Sequence, residues 1–317
     1  MEGKESIIQT ESTDNGMTIN KKRPMGKDVI AVNIVGCILI GVFAFICVVP
    51  FYLVIVASFT SNQSIIQNGY PLVVAAKNFS LQSYQLCLKN PTAILQAYGM
   101  TILVTLIGTF CAVMMACMTG YVLSRKDFPW RNKFAFFYFF TTLFNGGLVP
   151  WYLLCVRYLN FKNSFAGLLF PLMFSVWNMI IAKSFMLGLP MEITESAKLD
   201  GANDFTIFMR LIMPLSKPLI ATLSLFSALS YWNDWYNCML YITNEKMFTL
   251  QYYLQRILGS AEAMRLVAEK SGIAIPSIPI EGMKMAMTVI ATGPIVLLYP
   301  FVQRYFVKGL TVGAVKG

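Results

Sequence analysis

Six long apolar runs separated by polar stretches set the pattern of the chain. They lie at about Val29 to Ser58, Tyr98 to Leu123, Phe134 to Val156, Ser164 to Leu187, Pro218 to Thr243 and Met283 to Gln303. A helix of about 20 residues at roughly 1.5 Å rise crosses a hydrocarbon core of about 30 Å. The pattern therefore predicts an all-α integral membrane protein of six transmembrane helices. The first run holds no charge and only Asn33 as a polar amide, and it exceeds the roughly 7–15 apolar residues of a secretory signal. The second sits inside a 35-residue stretch without charge from Asn90 to Ser124. Lys183 is close enough to the end of the fourth run to snorkel toward the interface.

The polar stretches set orientation. With the N-terminus inside, the segments 1–28, 124–133, 183–217 and 304–317 carry 16 of the 25 Lys and Arg residues. Cytosolic loops are enriched in basic residues, so both termini are predicted to be cytosolic. Residues 1–28 read as a polar cytosolic tail and residues 29–317 as the transmembrane domain. Two long segments, about Phe59 to Ala97 and Asn244 to Gly282, then face outside. The second contains TLQYYLQRIL and AEAMRLVAEK, which read as two short surface helices.

Composition agrees: 56% of residues are hydrophobic and 13% charged, against about 45–50% and 25% in soluble chains. The net charge of +10 is spread through the loops, which suits topology and lipid contact better than nucleic acid. Six of the seven cysteines lie in apolar runs and no C-x-x-C pair occurs, so they read as small buried hydrophobes. The sequence contains no histidine, which removes the commonest general base and metal ligand. No metal site and no catalytic residue is predicted. No G-x-x-x-x-G-K-[ST] motif is present, so the chain has no phosphate-cradling loop.

The informative loop is LPMEITESAKLDGANDFTIFMRLIMPLSKP, Leu189 to Pro218. Pro190 suits a helix start, with Glu192 and Glu195 near the positive end of the dipole. Asp200-Gly201 is turn chemistry, Asn203 or Asp204 can cap a second helix, and Pro214 must end or kink it. Glu195, Ser196, Ala197, Gly201 and Ala202 put one acid among very small side chains. That shape fits docking into a partner's groove, and equally a tight connector.

The spacing Glu195-Ser196-Ala197, Asp200-Gly201-Ala202, Leu211, Pro214, Pro218 resembles the EAA loop of ABC importer permeases, in outline E-A-A-x-x-D-G-A followed by I-x-L-P-x-x-x-P. Ser196, Leu211 and Met213 depart from it without changing charge. The closing stretch 299–317, YPFVQRYFVKGLTVGAVKG, is similar to the C-terminus of carbohydrate permeases of the maltose-transporter type. FNGGLVPWYLL and YWNDWYNCMLYI look like the branch that imports complex oligosaccharides. The resemblance implies that Glu192 to Leu211, within the coupling loop 189–217, is the coupling helix seated in a cleft of an ATPase subunit, with Phe205, Arg210 and Pro214 in the second half of the loop. It also implies a second permease subunit, two ATPase subunits that use ATP and Mg, an extracellular lipid-anchored or periplasmic sugar-binding protein, and the bacterial plasma membrane. This chain itself would bind no cofactor. An ion-coupled carrier or channel without an ATPase is the alternative, although such carriers place coupling carboxylates mid-span.

Only one acid, Asp234, falls inside a run. Charge in hydrocarbon is costly, so it either lines a path with Trp232, Asn233, Trp235 and Tyr236 or reaches the headgroups from an aromatic belt. Asn145-Gly146-Gly147, mid-run, reads as a local break beside a pathway or as close packing through small residues. Trp177-Asn178 in the fourth run is a weaker candidate of the same kind.

Overall fold

The computed structural model describes residues 27–271 and 279–296. The tail up to residue 26, the stretch 272–278, the end of the sixth run and the segment 299–317 lie outside the described residues. The chain divides into two compact units, one ending at Tyr52 and the other starting at Leu53. Among the described residues there is no β-strand, only an isolated antiparallel bridge between Thr60 and Phe79.

The first unit holds most of α1, Lys27–Ser58. In the second, α2 (Asn62–Asn68) and α3 (Gln82–Cys87) precede α4 (Pro91–Ser124). The long helix α4 starts earlier than the apolar run, because Pro91 sits at its first turn, where the missing N–H costs nothing. Among the described residues, α1 and α4 each suffice by length and apolarity to cross a membrane alone, and three bent helix pairs bring the total to as many as five.

Those bends are where the structure departs from straight spans. The predicted span 134–156 is α5 (Arg131–Leu143) and α6 (Leu148–Leu153), with a π-helical turn Leu154–Tyr158, and the two arms differ by 113°. Gly147 has φ +87° and ψ 171°, a region essentially restricted to glycine, and its N–H donates to Asn145 Oδ1 at 2.9 Å. A Cβ built on Gly147 meets nothing of this chain within 4 Å, and the helix breaks at this glycine pair. The fourth span is α7 (Phe165–Leu169), the 3-10 turn Phe170–Leu172 and α8 (Val176–Leu187), bent by 49°.

The loop that follows forms α9 (Met191–Leu199), α10 (Asp204–Ile207), a π-helical turn Phe208–Ile212 and α11 (Met213–Leu215). Then come α12 (Lys217–Trp232), α13 (Tyr236–Tyr241) and α14 (Leu250–Ser271). The fifth predicted span is thus interrupted at 233–235. Conversely, the two short helices expected around Thr249 and Ala261 are the single helix α14. Gly259 does not break it, because Leu250, Leu254 and Ala261 share one buried face that holds the helix through the glycine. The last described helix, α15, occupies 280–296.

The packing core is α4 against α8 and α12. A Cβ on Gly120 would lie 2.6 Å from Ala182 Cβ, so the backbones of α4 and α8 meet through a glycine and an alanine. Toward the loop end, Val113, Ala116, Cys117 and Tyr121 of α4 join Ala182 and Met186 of α8 and Leu219 and Leu223 of α12. The same cluster takes in Ala197, Ile207, Phe208 and Ile212, so the loop between α8 and α12 is rooted against those helices and α4. At the other end, Trp232, Leu250, Leu254 and Met283 pack with Cys87 and Ile94. Desolvation raises the Cys87 thiol pKa to about 11, consistent with an inert packing cysteine.

Candidate coupling surface and translocation path

The loop folds as its residue types dictate. Pro190, extended at ψ 130°, leads into α9, and Glu192 lies in the first turn. The helix stops in a Schellman arrangement: Ala202 N–H donates to Ala197 C=O at 3.0 Å and Gly201 N–H to Lys198 C=O at 3.0 Å. Gly201 takes φ +80° there. Asn203, rather than Asp204, caps the next helix, its Oδ1 accepting from Thr206 N–H at 2.8 Å. Pro214 offers no N–H and crowds the turn before it, and that turn widens to the π-helical Phe208–Ile212.

This construction sorts the loop into two faces. Ala197, Ile207 and Phe208 are buried against α4 and α8, with Ala202 packed against them. Glu192, Glu195, Ser196 and Leu199 fall at helical intervals on the exposed face of α9, and Asp200, Gly201, Phe205, Arg210 and Pro214 are exposed beyond it. A Cβ at Gly201 meets nothing within 4 Å. Leu199 is 90% exposed and Phe205 63%, giving the surface two apolar projections. Sequence reasoning passed over Leu199. Its signal is a leucine on the same helical stripe as two glutamates, where an amphipathic surface helix would place a polar residue.

Four charges anchor this loop by a pairing that the sequence does not announce. The Arg125 guanidinium, just beyond α4, forms a two-bond fork with the Asp127 carboxylate and a further bond to Asp204. Lys198 reaches Asp127 at 3.1 Å and Asp204 at 3.9 Å. Hydrogen bonding to Asp127 lifts the Arg125 pKa further above its ordinary value, and Arg125 in turn holds the Asp127 carboxyl well below the usual carboxylate range.

The path candidates separate into distinct settings. Trp232 is buried in the cluster with Leu250 and Met283, its indole N–H donating to Ala291 C=O at 3.0 Å, and so serves packing between α12 and α15. Both oxygens of Asp234 are engaged by Asn237, from the backbone N–H at 3.1 Å and the side-chain amide at 3.0 Å. Asp234 therefore closes the turn before α13. Asn233, Trp235 and Tyr236 are exposed around it, and Asn145 is exposed at the α5–α6 break.

Trp177 and Asn178 border a different feature. A cavity of about 410 Å³ lies between the α7–α8 bend and α12, lined by Ser175, Trp177, Asn178, Phe226, Ser227 and Ser230 among others. Asn178 is buried and donates to Ser227 Oγ at 3.2 Å, while Trp177 is exposed. Asn178 and Ser227 each lie ten residues from the loop ends of their helices, Gly188 and Lys217. At about 1.5 Å per residue that is about 15 Å along each helix.

An exposed two-helix loop rooted in a broken-helix membrane domain is the layout of a transport subunit. Residues 89–312 match the family described as the binding-protein-dependent transport system inner membrane component. The chain belongs to this family. It is 37% identical over 275 residues to the polygalacturonan/rhamnogalacturonan transport system permease protein YtcP of Bacillus subtilis, covering 87% of this chain and 94% of that one. It is 33% identical over 285 residues to protein LplC of the same organism, covering 90% and 95%. A solved bacterial ABC transporter involved in the import of the acidic polysaccharide alginate contains a similar chain, with TM-score 0.72, 26% identity and coverage of 90% of this chain and 99% of that chain. This permease subunit is thus an integral membrane component of an ABC importer and not an enzyme. The ATPase and the substrate-binding protein are separate partners, and nothing favours a carrier working without an ATPase.

Proposed function

We propose that this permease carries oligosaccharides, and in particular fragments of acidic plant polysaccharide, across a bacterial plasma membrane. It does so as a six-span subunit with both termini cytosolic, paired with a second, homologous permease. Two ATPase subunits consume ATP and Mg below, and a lipid-anchored or periplasmic binding protein delivers sugar above. The permease itself binds no cofactor. The polygalacturonan/rhamnogalacturonan transport of one relative and the alginate import of a structurally similar transporter support the substrate class.

The coupling surface is the exposed face of α9 and the Asp200-Gly201 turn, with Leu199 and Phe205 as apolar anchors. The observation that carries this reading is the open space over Gly201, combined with the burial of the opposite face of the same loop. A rigid loop exposing a glutamate stripe, two apolar side chains and a bare backbone corner suits docking into a groove of another protein. Its displacement would then be transmitted to α4, α8 and α12 as a rigid-body movement. The sugar path runs past the Trp177 cavity and the exposed Asn145, Asn233, Trp235 and Tyr236. Trp232 and Asp234 hold the helices that border it.

Reconstitution of the complete importer in proteoliposomes tests the proposal, with ATPase stimulation read across neutral and acidic oligosaccharides carried by the binding protein. Stimulation by oligogalacturonides is expected. Sugar movement by the isolated chain without ATP would sink the whole reading, and stimulation by none of the oligosaccharides would sink the substrate class.

A further inference from the structure

The four charges beside the coupling loop make a closed ring in which each cation touches both anions: Arg125 to Asp127 and Asp204, and Lys198 to the same two carboxylates. Lys198 belongs to the last turn of α9 and Asp204 to the first turn of α10, whereas Arg125 and Asp127 follow α4. The ring therefore ties both helices of the loop to each other and to the cytosolic end of a span 79 residues away in sequence. The loop's covalent connections run only to α8 and α12.

We propose that Arg125, Asp127, Lys198 and Asp204 act as an ionic latch that makes the coupling loop and α4 move as one body, so that they are positioning residues for the transport stroke. The latch rests on the reading of α9 and α10 as the ATPase-coupling surface. Two recesses, of about 370 and 460 Å³, flank the ring, and Arg125 and Asp127 line both. Beside them Tyr121 of α4 packs on Phe208 of the loop, ring centroids 5.4 Å apart, and the ionic ring adds a polar tie next to this apolar contact. The geometry suits directional restraint. The Arg125 fork fixes the plane of the Asp127 carboxylate, and Arg125 also lies over the Tyr121 ring at 5.7 Å, its side chain only 16% exposed. Buried apolar contacts resist separation of two surfaces but resist sliding poorly, while crossed hydrogen-bonded ion pairs resist both. The outer carboxylates are more than half exposed, so each pair adds little to folding. Loss of the ring should accordingly appear in coupling before stability.

The test uses the full importer in proteoliposomes, with Arg125→Ala, Asp204→Ala, the double variant, Lys198→Met and Leu199→Asp. The readouts are ATPase co-purification, ATP hydrolysed and sugar transported per ATP. Expected are assembled complexes with hydrolysis near wild type, transport per ATP lowered at least about fivefold in Arg125→Ala, and a double variant no worse than the poorer single. Wild-type transport per ATP should also fall with rising salt, a dependence the variants lose. Unchanged transport per ATP in Arg125→Ala, or losses that multiply in the double variant, would overturn the latch. Should Arg125→Ala fail to assemble, Lys198→Met decides: it opens two edges of the ring at an exposed site, and unimpaired coupling there rejects the proposal. Leu199→Asp separates the two readings. If it leaves ATPase binding intact, the coupling surface is misassigned; if it releases the ATPase while Arg125→Ala stays coupled, only the latch fails.

Discussion

At Gly201 a small side chain serves two demands that separate substitutions can pull apart. The Schellman turn requires φ near +80°, and the outer surface leaves the site open. Asparagine visits the left-handed region at little cost, whereas a β-branched residue there costs about 1–2 kcal/mol. Gly201→Asn should therefore fold like wild type yet transport poorly, because its side chain stands where the partner approaches. Gly201→Val should lose both thermal stability and transport. Full transport by Gly201→Asn would leave the glycine only a conformational role. Asp234 invites a matching comparison. Its oxygens accept from Asn237, so Asp234→Asn keeps an acceptor for the backbone N–H, while Asp234→Ala loses the turn at about 1 kcal/mol. Transport by Asp234→Asn within about twofold of wild type is expected, and a large loss would mean that the negative charge itself meets the substrate.

Among the elements, the breaks decide what the spans can do. Gly147 sits in a backbone region that other residues enter at about 1–3 kcal/mol, while Gly146 has no positive φ and open space around it. Gly147→Ala should lower the melting temperature of the solubilised chain and reduce transport, and Gly146→Ala should do neither. Equal effects at both would contradict the assigned turn. The sequence announced a weak point at Asn145-Gly146-Gly147, because amide and glycine chemistry is local, but not which glycine carries it, because that depends on a dihedral. Run positions were legible for a similar reason: hydropathy over about 20 residues measures solvent, and solvent is what the membrane changes. Orientation within a run was not. In Trp232-Asn233-Asp234-Trp235-Tyr236 the helix ends and restarts, so its phase resets, and Trp232 packs inward while Trp235 faces out. Arg125 and Asp204 are far apart in sequence and share no spacing pattern, so only their meeting in space reveals them.

For the molecule as a whole, the placement of charge separates two tasks. The ring of Arg125, Asp127, Lys198 and Asp204 and the glutamate stripe gather charged side chains at the loop 189–217, whereas the described residues lining the Trp177 cavity are all neutral. A carboxylate inside a span without a countercharge would be costly. On the proposed sugar path this wall offers Trp177, Ser175 and Ser230 to ring faces and hydroxyls, and its lining holds no cation for an acidic group to prefer. An aromatic contact worth about 0.5–1.5 kcal/mol corresponds to roughly 2- to 12-fold in affinity. Trp177→Ala should then reduce transport within that range, and by the same factor for a uronate oligosaccharide and its methyl ester. Initial uptake rates with saturating binding protein would measure the ratio. A loss confined to the uronate would place carboxylate recognition at this wall, and a loss confined to the ester would mean the two substrates take different routes through the permease.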